Sequence, residues 1–98
     1  MRHRKRIKKL GVSKPRRTQM MRNMTASLIL HERLQTTEAR AKALTAYFAR
    51  LMHHVQTKEV REAIRITPKY LYSVAASRKL HSEFKTRFAN RTSGFTRI

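Results

Sequence analysis

Between residues 13 and 84 the apolar positions recur at three- and four-residue steps, the spacing that stacks side chains on one side of a helix. Met20 or Met21, Met24 and Leu28 form the first such stripe. Ser13 or Lys14 opens this helix, Pro15 fits its first turn because the missing N–H costs nothing there, and the pattern runs to about His31. Arg16, Arg22 and Asn23 fall on other faces. Leu34-Gln35-Thr36-Thr37 then interrupts the period, and Thr37 or Thr36 is placed to cap a second helix, with Glu38 complementing the positive end of its dipole. Ala41, Leu44, Phe48, Leu51, Met52 and Val55 give that helix a buried stripe.

Beyond it, Thr57 to Ile66 predicts a short helix carrying Val60 and Ile64. Thr67-Pro68 is a restart signal, a cap followed by proline in the first turn. Tyr70, Leu71, Val74, Leu80 and Phe84 predict an apolar face on the next helix, to about Phe84. From Lys85 the period stops, and Arg87, Arg91 and Arg97 are interleaved with Phe88, Phe95 and Ile98 in a basic extended tail. Docking of the two rings on the core, with the arginines meeting phosphate, is the expected arrangement; stacking of the rings on unpaired bases is the alternative.

Charge changes this picture from a small helical domain into a ligand for a polyanion. The 98 residues carry 24 Lys plus Arg against five acids, a net charge of +19. That lies far beyond the roughly 2 to 8 units adequate for solubility, and self-repulsion at that level opposes a lone compact state. Nucleic acid is the leading partner class and an anionic membrane the second. The free chain at low salt is expected to be partly unfolded and to gain helix on binding RNA. Residues 1–14 concentrate the effect: Arg2, His3, Arg4, Lys5, Arg6, Lys8, Lys9 and Lys14 precede any acid, and Ile7, Leu10 and Val12 are too isolated to build a core. This basic arm reads as RNA-binding, with an organellar presequence as its rival. The remaining candidates for RNA contact are Arg16, Arg17, Arg22, Asn23, His31, Arg33, Arg40, Lys42, Arg87, Arg91 and Arg97.

Other chemistry finds little footing. The chain has no Asp, and Glu32, Glu38, Glu59, Glu62 and Glu83 are scattered, whereas a two-metal enzyme clusters its carboxylates. Only Gly11 and Gly94 are present, too few for a phosphate-cradling loop. His53 and His54 are neighbours and on a helix point about 100° apart, so they do not chelate one ion. Without cysteine there is neither a disulfide framework nor a thiolate zinc site. No apolar run approaches the roughly 18 residues of a membrane span. An enzyme is the weakest reading, and no cofactor, metal or small-molecule substrate is expected.

The motifs narrow the polyanion. Met1 to Lys5, Met20-Met21-Arg22-Asn23-Met24, Ser27-Leu28-Ile29, His31-Glu32, Thr36-Thr37 and Arg40-Ala41-Lys42 resemble, in order and spacing, the signature of the bacterial-type ribosomal protein L17 family. Arg87 to Ile98 is similar to that family's Arg-aromatic-x-x-Arg-x-Gly-Gly-Tyr-Thr-Arg-Ile segment, with Ser93 in place of the first glycine; Ala43 stands where the family usually has glutamate. The resemblance of the first five residues argues for mature sequence over a presequence. It implies a structural constituent of the large ribosomal subunit, beside neighbouring ribosomal proteins near the exit tunnel, that recognises folded rRNA by phosphate neutralisation and shape. A DNA-compacting architectural protein is the alternative function.

The fold the resemblance implies is mainly α with a small β component (α+β). A basic arm (1–14) would precede a single globular domain (15–98) whose C-terminal extended segment is shortened, without the family's last strands. These departures point to a diverged organellar member, in the large subunit of a mitochondrial ribosome, with the bacterial cytoplasm as the alternative location.

Overall fold

A computed structural model of the chain describes residues 9–98. The six arm positions Arg2, His3, Arg4, Lys5, Arg6 and Lys8 therefore lie outside the described residues. The first helix, α1, spans Lys14–His31 and the second, α2, spans Glu38–Thr57, joined by an extended link. Both follow their local signals. Pro15 lies in the first turn of α1. The Thr37 hydroxyl accepts the Arg40 N–H of α2 at 3.4 Å, and Glu38 sits in that first turn, ion-paired to Lys42 at 3.0 Å.

After α2 come α3 (Val60–Ile66), a 3₁₀ turn (Thr67–Lys69) and a short non-helical run that leads into α4 (Val74–Lys79). The Thr67-Pro68 signal thus starts only one 3₁₀ turn. The helix proper begins later, where the Ser73 hydroxyl accepts the Ala76 N–H at 3.2 Å. From α4 the chain continues as one rod through a π turn (Leu80–Phe84) into α5 (Lys85–Arg87), three residues past the expected end.

The core lies where α1, α2 and this rod meet: Ile29, Phe48, Leu51, Met52, Val55, Leu71, Ala76, Leu80 and Phe84 are buried together. The stripe on α2 is as expected from Leu44 to Val55, with Ala41 half-buried at its edge. On α1 the buried row is Met21, Thr25 and Ile29, one residue round from the Met24 and Leu28 expected from the sequence. Thr25 tolerates full burial because its hydroxyl donates to the Met21 carbonyl at 2.7 Å. The radius of gyration, 13.6 Å, matches the roughly 13 Å of a compact 100-residue domain.

Three expectations are corrected. The small β component is absent: no strand forms among the described residues, and neither the link 33–37 nor the tail beyond Asn90 joins a ladder. Val60 and Ile64, 56% and 51% exposed, do not face the core. Ala63 and Thr67 are the buried positions at that end, Ala63 on the helix that packs against α2 and Thr67 hydrogen-bonded to His81. Likewise Val74 is 66% exposed and Ala76 is buried in its place.

The tail does dock through its rings. Phe48, Phe84, Phe88 and Phe95 form an edge-to-face ladder with successive centroids 6.2, 5.7 and 5.7 Å apart. Gln56 holds the intervening turn, donating through Nε2 to the Phe88 carbonyl at 2.6 Å and to the Arg91 carbonyl at 3.0 Å. Between the tail, the link and the start of α2 an apolar groove of about 530 Å³ remains, lined by Leu28, Leu34, Leu44, Phe48, Phe95 and Ile98.

Candidate nucleic-acid interface

The five acids are not spread evenly over the folded surface. Residues 1–31 and 63–82 contain none, and these two stretches lie against each other where α1 packs on α4. Lys14, Arg16, Arg17, Arg22, Lys69 and Arg78 belong to this acid-free pair of segments. Coulomb repulsion among them falls if phosphates replace the counterions around them.

The opposite tendency appears at Glu32. It ends α1 in a left-handed conformation (φ 58°), with its N–H donated to the Leu28 carbonyl. There its carboxylate accepts from Arg87 and, at 3.1 Å, from Lys79. Those two hydrogen bonds, Arg87 foremost, hold its carboxyl below the usual carboxylate range. Arg87 also lies 3.8 Å from Glu83, and the Lys79 ammonium donates to the Leu30 carbonyl. Cations from the rod are therefore spent internally at this corner, tying the end of α1 to α5.

The sequence-derived candidates divide accordingly. Lys9, Lys14, Arg16, Asn23, His31, Arg33, Arg40 and Arg97 are exposed, and Arg17 is half-buried. Lys42 is paired to Glu38, Arg87 to Glu32, and Arg91 donates to the Gly94 carbonyl at 3.0 Å. Arg97 lines the groove by the link, far along the chain from the arm. Arg33, from the link, lines the same groove. His31 and Glu32, adjacent in sequence, part company, since the histidine faces solvent while the glutamate takes its partners from 47 and 55 residues away. No group of three or more His, Cys or carboxylates able to hold a metal occurs among the described residues.

Arg22, also a sequence-derived candidate, is held by a partner far away in the sequence. Its Nε donates to the Lys69 carbonyl at 3.0 Å, and its guanidinium carbon lies 4.4 Å from the centroid of the Tyr72 ring. The same short segment is clamped from α2. The Tyr47 hydroxyl donates to the Tyr70 carbonyl at 3.0 Å, and the Tyr47 and Tyr70 rings meet edge to face at 5.1 Å. Burial pushes the Tyr47 phenol above its ordinary pKa, partly offset by the charge of Arg22. Tyr72 is not among the sequence-derived site residues. The signal that could have found it is a large aromatic next to a core leucine inside an acid-free stretch.

One family model and three bacterial relatives are similar to this chain. The family model for ribosomal protein L17 matches residues 20–98. A large ribosomal subunit protein bL17 of Porphyromonas gingivalis is 41% identical over 99 residues, covering all of this chain and 61% of its own length. Those of Gemmatimonas aurantiaca and Geobacter sulfurreducens are 36% and 37% identical over 98 residues, and the chain spans 82% and 55% of their lengths.

Proposed function

Because this chain belongs to the ribosomal protein L17 family, we propose that it is a structural, non-enzymatic constituent of a large ribosomal subunit that binds and stabilises folded rRNA. The observation that carries the reading is the acid-free surface assembled from α1 and the 63–82 segment. The cations of that surface and of the arm would displace condensed counterions, and phosphate contact would fix orientation while folded RNA shape supplies selectivity. Lys9, Lys14, Arg16, Arg17, Arg22, Asn23, His31, Arg33, Arg40 and Arg97 remain the described candidates for RNA contact, Lys42, Arg87 and Arg91 being engaged within the protein, with neighbouring ribosomal proteins as further partners. No helix among the described residues is long and apolar enough to cross a membrane. Nothing in the comparisons favours the DNA-compacting alternative. Of the two locations anticipated, the bacterial sources of the relatives favour the bacterial ribosome over the mitochondrial one.

Density-gradient sedimentation of tagged protein from its own cells tests the reading. Co-migration with the large subunit that persists at high salt is the expected result, and fractionation of the same cells assigns the compartment. Migration with DNA, or free at the top of the gradient, would overturn it.

A further inference from the structure

Tyr72 is a large aromatic side chain, 66% exposed, on a segment that is otherwise held rigid. Residues 71–73 link the 3₁₀ turn to α4 outside any helix, with Ser73 in an extended conformation. Leu71 is driven into the core, 2% exposed, and Tyr72 is turned outward. The backbone just before it is fixed by Arg22 at the Lys69 carbonyl and by Tyr47 at the Tyr70 carbonyl. One face of the ring carries the Arg22 guanidinium, which the Nε bond to Lys69 keeps in place. Among the described residues no carboxylate forms an ion pair with Arg22. Its guanidinium also interacts with the Tyr47 hydroxyl, so the group is positioned from α2 as well as from the Lys69 carbonyl.

We infer that Tyr72 is a stacking platform for an unpaired RNA base, with Arg22 behind the ring donating to the phosphate of the same or the adjoining nucleotide. A base offers a flat π-face irrespective of its identity, and an aromatic ring already immobilised loses little side-chain entropy on stacking. The guanidinium supports the far face of the ring and supplies charge in a fork suited to phosphate oxygens. The acid-free surroundings of residues 63–82 favour the approach of a polyanion to this ring. The assignment rests on the rRNA-binding reading and adds to it a specific contact with unpaired RNA that neither charge nor family likeness designates.

The test measures binding of the full chain to large-subunit rRNA across a salt series for wild type, Tyr72→Phe, Tyr72→Leu and Tyr72→Ala, with circular dichroism of each protein. The expected result is wild-type affinity for the Phe variant and about 5- to 150-fold weaker binding for Leu and Ala, the range for losing one base–aromatic stack. The salt slope should be the same in all four, because the ring releases no counterion. Leucine keeps apolar bulk without a flat face, so Leu binding within twofold of wild type overturns the platform, as does an affinity loss matched by loss of helix in all variants. Normal rRNA affinity of Tyr72→Ala combined with its failure to enter the large subunit would place the ring against a neighbouring protein and also overturn it. If wild type itself does not bind rRNA, the functional reading falls first and this inference with it.

Discussion

The Phe88–Phe95 pair offers a quantitative test of how the C-terminal tail is held. Both rings are half-buried against the core, and their centroids lie 5.7 Å apart in an edge-to-face arrangement. Full burial of a phenylalanine is worth about 1.5–3 kcal/mol, so a half-buried ring contributes roughly 1 kcal/mol through area alone. An edge-to-face partner adds about 0.5–1.5 kcal/mol. Phe95→Ala, with one such partner, should cost about 1.5–2.5 kcal/mol. Phe88→Ala, which also loses Phe84, should cost about 2–4 kcal/mol. A double-mutant cycle isolates the pair, and its coupling energy is expected at about 0.5–1.5 kcal/mol. Denaturant unfolding followed by circular dichroism supplies the four stabilities. It is run near 1 M salt, where the Debye length is about 3 Å and self-repulsion of the +19 chain is screened. Coupling below about 0.3 kcal/mol, together with Phe95→Ala at wild-type stability, would mean that the tail does not dock through its rings.

Three further outcomes follow from the same structure. The pKa of His81 is lowered by burial and then by the charge of Lys85, and its Nε2 shares a 2.9 Å hydrogen bond with the Thr67 hydroxyl. A lowered folded pKa means stability that is present above the unfolded value of about 6.5 and is lost as pH falls through the folded value. Melting curves should therefore drop from pH 7.5 to 5.5 more for wild type than for His81→Gln; parallel profiles would remove His81 from the account. Glu32→Gln should lower the melting temperature at neutral pH. It should also abolish the part of the acid sensitivity that wild type shows below about pH 4.5, where the Glu32 carboxylate protonates and releases Arg87 and Lys79. An unchanged acid limb would show that the corner is not an ion-paired anchor. Replacing Arg16 and Arg17 by alanine should reduce the salt slope of rRNA binding by about 0.7–0.9 per lost phosphate contact while leaving helicity intact; an unchanged slope would exclude both.

What the sequence disclosed depended on which residues do the anchoring. The long helices were legible because their ends carry local chemistry, Pro15 and Thr37, and because α2 packs through large apolar side chains at regular steps. The short helices were misread for the converse reason. Val60, Ile64 and Val74 are the conspicuous apolar residues there, yet the buried positions are the small Ala63, Thr67 and Ala76. Thr25 misled in the same way, since a hydroxyl that bonds within its own helix is buried like an apolar group. The small sheet came from family likeness alone, and neither the link nor the tail forms a strand. The Glu32 corner and the Arg22–Tyr72 stack join residues about 50 positions apart in sequence, a relationship that no local pattern records.

The π turn within the rod changes how residues there must be counted. Lys79 and Arg87 both reach Glu32 although they are eight positions apart. In an unbroken α-helix eight steps of 100° would leave them about 80° out of phase. One π turn takes up a single extra residue, so the effective separation is seven, two turns that close to within about 20°. The rod thus holds one residue of slack between Leu80 and Phe84. Deleting the exposed Ser82 would iron the turn into regular α-helix and leave both cations in register on Glu32, whereas inserting a residue would swing Arg87 about 100° away. Length variation at this point of the chain is therefore one-sided: shortening by one is absorbed, and lengthening by one unfastens α5 from the end of α1.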